Sequence, residues 1–208
     1  MDPTVDARLP LSLLQAVRQI DTPTGDDVDA DYLAELRNKR LGLSDTVYAQ
    51  IGRYTDAVKR SQRPSHDEAS ALARLIGRRP DAEQVYRQAG QLLAVQAYAT
   101  LSPLTRRTLR ILPSLVARPM ALRQSRRLAV RFLNGVVVRT GSSLLLQVPV
   151  TVTALAAPRS AGCTYYESVL KELLRLLVGG DGMVEHVRCA DRGEGRCEWR
   201  AEWKRSRG

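Results

Sequence analysis

Three cysteines, Cys163, Cys189 and Cys197, are the only thiols in the 208-residue chain. Cys163 opens a segment of helical apolar period, Cys189 ends a strand-like one, and Cys197 begins the next strand after a turn carrying Gly193 and Gly195. Adjacent ends of a hairpin bring Cys189 and Cys197 close, and the dipole at a helix N-terminus favours thiolate at Cys163. Three thiolates converging in this way suit tetrahedral zinc, with a fourth ligand from elsewhere. The same residues equally suit a role as small buried apolar side chains, a common fate of cysteine in a reducing compartment. A redox pair has less support, because neither C-x-x-C nor a thioredoxin-like βαβ pattern surrounds them. There are only two histidines. His66 falls in the first turn of a predicted helix and reads as a surface residue, whereas His186 alternates with Val187 along the strand leading to Cys189, where a ligand or acid–base role competes with a plain strand position. Signatures of catalysis are missing: there is no P-loop, dinucleotide fingerprint, flavin or hydrolase motif, and "GGDG" at 179–182 follows a helix rather than a strand.

Charge supplies the second chemical signal. The chain carries a formal net charge of +10, and residues 84–166 hold 11 basic side chains and no acidic one. Arg106, Arg107, Arg110, Arg118, Arg123, Arg126, Arg127 and Arg131 recur there at helical spacings between apolar residues. Arginine without lysine favours planar, bidentate contacts to carboxylates or phosphates. One reading is a solvated helix face. The other is an acidic partner: nucleic acid, an anionic lipid surface or a carboxylate-bearing small ligand. An aromatic content of 5% and the lack of a helix-turn-helix signature weigh against nucleic acid.

These groups need elements to position them. Residues 1–30 read as a weak helix followed by a mobile acidic linker, "DTPTGDDVDADY". "DYLAELRNKRLG" and "SDTVYAQIGRYTDAVKRS" are amphipathic, with Ser44 as N-cap of the second, and "SHDEASALARLIG" opens with a capping box, Ser65 and Glu68. "DAEQVYRQAGQLLAVQAYATLS" is the longest apolar-periodic stretch, and its Gly90 suits a place where another backbone packs close. The arginine-rich stretch that follows is helical, with Pro113 and Pro119 expected to break it. After Gly135 the period changes to 2. Two strands turn at Thr140–Ser143, a buried helix follows from Cys163, and "MVEHVRCA" and "CEWRAEWKR" close the chain as a hairpin. The fold class is therefore α+β, a helical front packed on an antiparallel sheet. The uncharged run at 140–158 alternates like a strand and is not expected to span a membrane. An odd, small number of cysteines and an opening without a secretory pattern make the cytoplasm the expected compartment.

A cysteine opening a helix in "GCTYYES", 26 residues before the cysteine that ends "VEHVRC", then a glycine four residues on and a last cysteine in C-x7-C spacing, resembles the C-terminal half of the 4-vinyl-reductase domain. The resemblance covers roughly residues 85–203. It divides the chain into an N-terminal helix and linker at 1–30, a helical part at 31–84, the 4-vinyl-reductase-like domain at 85–203 and a basic tail at 204–208. It implies a fold related to the trafficking subunits of TRAPP type, often dimeric, with an apolar pocket between helices and sheet. It also implies hydrocarbon or tetrapyrrole-like ligands, as in bacteriochlorophyll synthesis; with no nicotinamide or flavin motif in the chain a reductase survives only as the family's name, and the expected role is that of a non-catalytic carrier, sensor or assembly factor. The side chains that would line the pocket are Leu92, Leu93, Val95 and Tyr98 on one helix and Tyr165, Tyr166, Val169 and Leu173 on the other, with arginines at the rim for a carboxylate; plain core explains the same side chains. In sensor members of the family three cysteines and a glutamate hold zinc. The cysteines carry over to Cys163, Cys189 and Cys197, but no acid lies between Glu83 and Glu167, which leaves water, Glu185, His186 or no metal at all. The alternative function is a regulatory protein that binds nucleic acid or another polyanion through the central arginines.

Overall fold

Ser44 and Ser65 start their helices as their side chains require, accepting from the Val47 and Glu68 amides at 3.3 and 3.1 Å. The computed structural model describes residues 3–22, 41–111, 114–179 and 182–202. Its α-helices are α1 (Arg8–Asp21), α2 (Asp45–Lys59), α3 (His66–Gly77), α4 (Ala82–Ala99), α5 (Pro103–Ile111), α6 (Ser114–Leu128) and α7 (Thr164–Val178). The strands are β1 (Val136–Thr140), β2 (Ser143–Val148), β3 (Val184–Arg188) and β4 (Cys197–Glu202). The expected linker, most of the "DYLAELRNKRLG" helix and the basic tail lie outside the described residues.

The four strands form one antiparallel sheet in the order β1-β2-β4-β3. Two hairpins are thus joined through β2 and β4, with α7 crossing between them. Val137, Leu144, Leu146, Val148, Cys197, Trp199 and Ala201 are buried on the face toward the helices, while Val136, Val138, Arg200 and Glu202 on the other face are exposed. This is the period-2 division of an antiparallel sheet with one wet side. The turn between β1 and β2 uses Gly141 at φ +60°, as a two-residue hairpin demands. The helical front on an antiparallel sheet is the α+β architecture expected from the change of period.

Three elements differ from expectation. α1 is a core helix, with Leu9, Leu13, Ala16 and Val17 buried against α4, and Gln15 and Gln19 bonded to Gln96 and Gln88 at 2.7 Å each. Its C-terminus is locked from afar: both Asp21 carboxylate oxygens accept from Arg79, at 2.6 and 2.9 Å, and the Gly42 amide donates to one of them at 2.8 Å. Of the two prolines expected to break the arginine-rich helix, Pro113 lies outside the described residues and Pro119 does not break its helix. The buried stripe Ala117, Ala121, Ser125 and Leu128 of α6 runs past it on the opposite face and holds both sides to the core. His66, read as a surface residue, has a side chain only 14% exposed.

One core cluster runs from Val5 to Ala201, continuous across residue 84, which lies in the first turn of α4. Its centre is the contact of α4 with α7. A Cβ on Gly90 would stand 2.3 Å from the Tyr165 carbonyl oxygen, so only glycine permits this approach. Alanine in a helix normally gains about 1 kcal/mol over glycine. At Gly90 the collision outweighs that gain, and Gly90→Ala is expected to destabilise by roughly 1–3 kcal/mol as overpacking does. Gly52→Ala in α2, where an added Cβ meets nothing within 4 Å, is expected to stabilise by up to about 1 kcal/mol. Urea unfolding of both variants checks the opposite signs.

Candidate metal centre

Cys163 is the last residue of a 3-10 turn (Pro158–Cys163) and the residue from which α7 starts. The turn is clamped from β2's side of the chain. The Thr153 hydroxyl donates to the Gly162 carbonyl at 2.6 Å, and a Cβ on Gly162 would lie 1.7 Å from the Thr153 carbonyl oxygen. Tyr165 and Tyr166 then fasten the first turn of α7, the one by its hydroxyl to Ser12 at 3.2 Å, the other by accepting from the Val152 amide at 3.0 Å.

Cys189 and Cys197 frame a loop built around backbone bonds to Cys189. Its carbonyl accepts from the Arg192 and Glu194 amides at 3.1 and 3.3 Å, and its own amide donates to the Glu194 carboxylate at 2.5 Å. Gly193 and Gly195 take φ +78° and +81°, which glycine adopts without strain. The Ala190 amide donates to the Cys197 sulfur at 3.2 Å. The loop therefore turns both sulfurs inward and supplies a donor to one of them.

His186 completes the group. A register shift between His186 and Arg188 interrupts the pairing of β3 with β4, so the strand's strict alternation does not apply between His186 and Cys189. Trp199, fully buried, stacks on the imidazole at 5.0 Å and 14° on one side and on Tyr166 at 5.1 Å and 27°. That stack fixes the plane of the ring. Among the described residues, the ligand atoms of Cys163, His186, Cys189 and Cys197 all lie within 4.8 Å of one another. This Cys3His group could hold a metal ion. Glu185 is excluded from it, since it is exposed and pairs across the sheet with exposed Arg200. From β2, the residue opposite Cys197 is the apolar Val148.

One spacing within the group matches that of a tetrahedral thiolate site. Sulfurs bound to zinc at 2.3 Å stand about 3.8 Å apart, and those of Cys163 and Cys189 are 3.6 Å apart. The Nε2 of His186 is buried without a hydrogen-bond partner among the described residues. The thiols are already unequal. The hydrogen bond from Cys163 pulls Cys197 well below the ordinary thiol range, against the effect of burial, with His186 and the Ala190 amide adding to it. Cys163 is pushed up by the same contact with Cys197 and by burial.

The residues expected to line a pocket fall into two groups. Leu93, Tyr98, Tyr165, Tyr166, Val169 and Leu173 are buried in the core. Leu92 is half-buried and Val95 is 48% exposed; with Gln88, Gln91, Glu172 and Arg175 they line a surface groove of about 330 Å³.

Of the arginines, Arg118, Arg123, Arg126 and Arg127 of α6 and Arg107 of α5 are exposed. Arg126 donates to the Val137 carbonyl at 3.0 Å, Arg131 lies over Phe132 at 5.1 Å, and Arg106 lies over Tyr98 at 6.0 Å. The Arg110 side chain lies outside the described residues. None of the other seven forms an ion pair among the described residues.

No helix among the described residues is long and apolar enough to cross a membrane. No known family model matches the chain, and no curated protein matches it.

With part of the arginine set engaged by the fold, duplex DNA is expected to bind weakly, without sequence preference, and to release near physiological salt by counterion competition. Fluorescence anisotropy across a salt series measures this; tight, sequence-selective binding at that salt would promote the polyanion-binding function.

Proposed function

We propose that the chain is a non-catalytic binding module in which zinc, held by Cys163, Cys189, Cys197 and His186, staples the closing β3–β4 hairpin to the start of α7. The observation that carries the reading is the convergence of those four donors within 4.8 Å. Three thiolates and an imidazole form a soft set suited to tetrahedral zinc, and four protein ligands leave no open position of the kind that catalytic zinc keeps. Zinc's contribution here is to join elements that are distant in sequence.

The cysteine and glycine spacing supports membership of the 4-vinyl-reductase type, with a hydrocarbon or tetrapyrrole-like molecule as ligand, a homodimeric state and a carrier, sensor or assembly role such as bacteriochlorophyll synthesis requires. In this chain the fourth ligand is His186 in place of that family's glutamate. The exchange keeps four donors and makes the site one negative charge poorer.

Metal analysis after mild purification is expected to find about one zinc per chain. Cys189→Ser loses it together with several kcal/mol of stability, a part of the roughly 10 kcal/mol or more that structural zinc supplies in small domains. His186→Ala retains the three thiolates and is expected to bind zinc more weakly, so that a chelator strips it at lower concentration. If the untagged protein carries no metal and Cys189→Ser is as stable as the parent, the four residues are core and the reading fails.

A further inference from the structure

A groove of about 210 Å³ lies between α6 and the β1–β2 hairpin, remote in sequence from the thiol cluster. Arg118 and Arg139 line it together with Pro119, Leu122, Ser143 and Leu144. Its construction follows from the elements. Arg118 and Leu122 are one turn apart on α6, and Arg139 is paired with Leu144 in the β1–β2 register, which puts both on the sheet face toward the helices. Leu144 is buried and forms an apolar floor, and Pro119, inside the helix, adds a flat apolar wall.

The groove's charge is uncompensated. Arg118 makes no hydrogen bond or ion pair among the described residues, and Arg139 donates only its Nε, to the Gly141 carbonyl at 3.1 Å. Among the described residues, no acidic one lines the groove. Two guanidinium groups facing one small, partly apolar space repel each other, and an oxyanion placed between them removes that repulsion while receiving their planar donors.

We infer that this groove binds the oxyanion head of an apolar organic anion, a carboxylate or phosphate carried on an aliphatic or aromatic body. The volume is below the range of about 300–1,000 Å³ in which whole drug-sized ligands are enclosed. The groove therefore takes the head and the first apolar segment, and the remainder of the molecule lies outside it. The site needs no metal. It extends the binding-module reading by giving the ligand a charged end and a place.

Isothermal titration of the full chain with decanoate, decyl phosphate and decanol tests the assignment. One or both anions are expected to bind one per chain and at least tenfold more tightly than decanol, and the stronger of the two identifies the head group. Arg118→Gln and Arg139→Gln should each weaken that binding at least tenfold. Arg123→Gln, an exposed arginine of the same helix outside the groove, should leave it unchanged; melting curves establish that all three variants fold. Anions that bind the Arg118→Gln and Arg139→Gln proteins as they bind the parent would overturn the assignment, as would equal loss in Arg123→Gln, the mark of general charge attraction. Binding of decanol alone removes the groove and leaves the binding module standing. No binding of any probe removes the groove and counts against the module as well.

Discussion

The approach of α4 to α7 at Gly90 is the contact on which the rest of the molecule depends. With the Tyr165 carbonyl 2.3 Å from where a Cβ would stand, the two helices are held backbone to backbone, and α7 has no freedom to slide. Its first turn is pinned from two sides, by Ser12 of α1 through Tyr165 and by Val152 through Tyr166. Cys163 therefore sits at a defined point above the sheet. A thiol at a helix start is common; one whose position is set by three separate elements is a fixed donor.

The other donors reach that point by different means. Cys189 and Cys197 arrive on a loop whose left-handed glycines and Glu194 carboxylate turn the sulfurs inward. His186 arrives through irregular pairing. In regular alternation residues 186 and 189 point to opposite faces of a strand. The register shift after His186 suspends that rule, and the stack of imidazole, Trp199 and Tyr166 holds the ring in place. The aromatic stack thus links the core contact to the donor cluster, since Tyr166 packs edge-on against Tyr165 and stacks on Trp199, which stacks on His186.

Charge is arranged by the same economy of faces. The buried stripe of α6 is Ala117, Ala121, Ser125 and Leu128, and its arginines are exposed, Arg126 with its Nε on the Val137 carbonyl and Arg118 at the groove beside the β1–β2 hairpin. Acidic side chains are concentrated before Glu83 and after Glu167, where they make their own bonds, as Asp21 and Asp81 do with Arg79 and Glu198 does with Arg196. Apart from Arg126 on the Val137 carbonyl and Arg106 and Arg131 over aromatic rings, the central arginines whose side chains are described are exposed without an ion pair among the described residues. Where Arg139 of β1 and Arg118 of α6 border one groove, that leftover charge becomes a local feature with an apolar floor.

Much of this was legible in the residues. Ser44 and Ser65 mark helix starts because a hydroxyl at that position satisfies an otherwise unpaired amide, and the change of period at Gly135 separates helix from sheet because burial on one face imposes it. Gly90 announced a close backbone, and the three cysteines announced a cluster. The importance of α1 was not legible: it is buried on several sides by elements distant in sequence, and its end is locked by Arg79. Pro119 reads as a break until the core is seen to hold the helix on either side of it. The gathering of His186, and not Glu185, with the three cysteines, and the shared groove of Arg118 and Arg139, were decided by tertiary structure alone. Sequence records periodicity along one element, whereas a register shift in a strand and the packing of a helix against a hairpin are set by contacts between elements far apart in the chain.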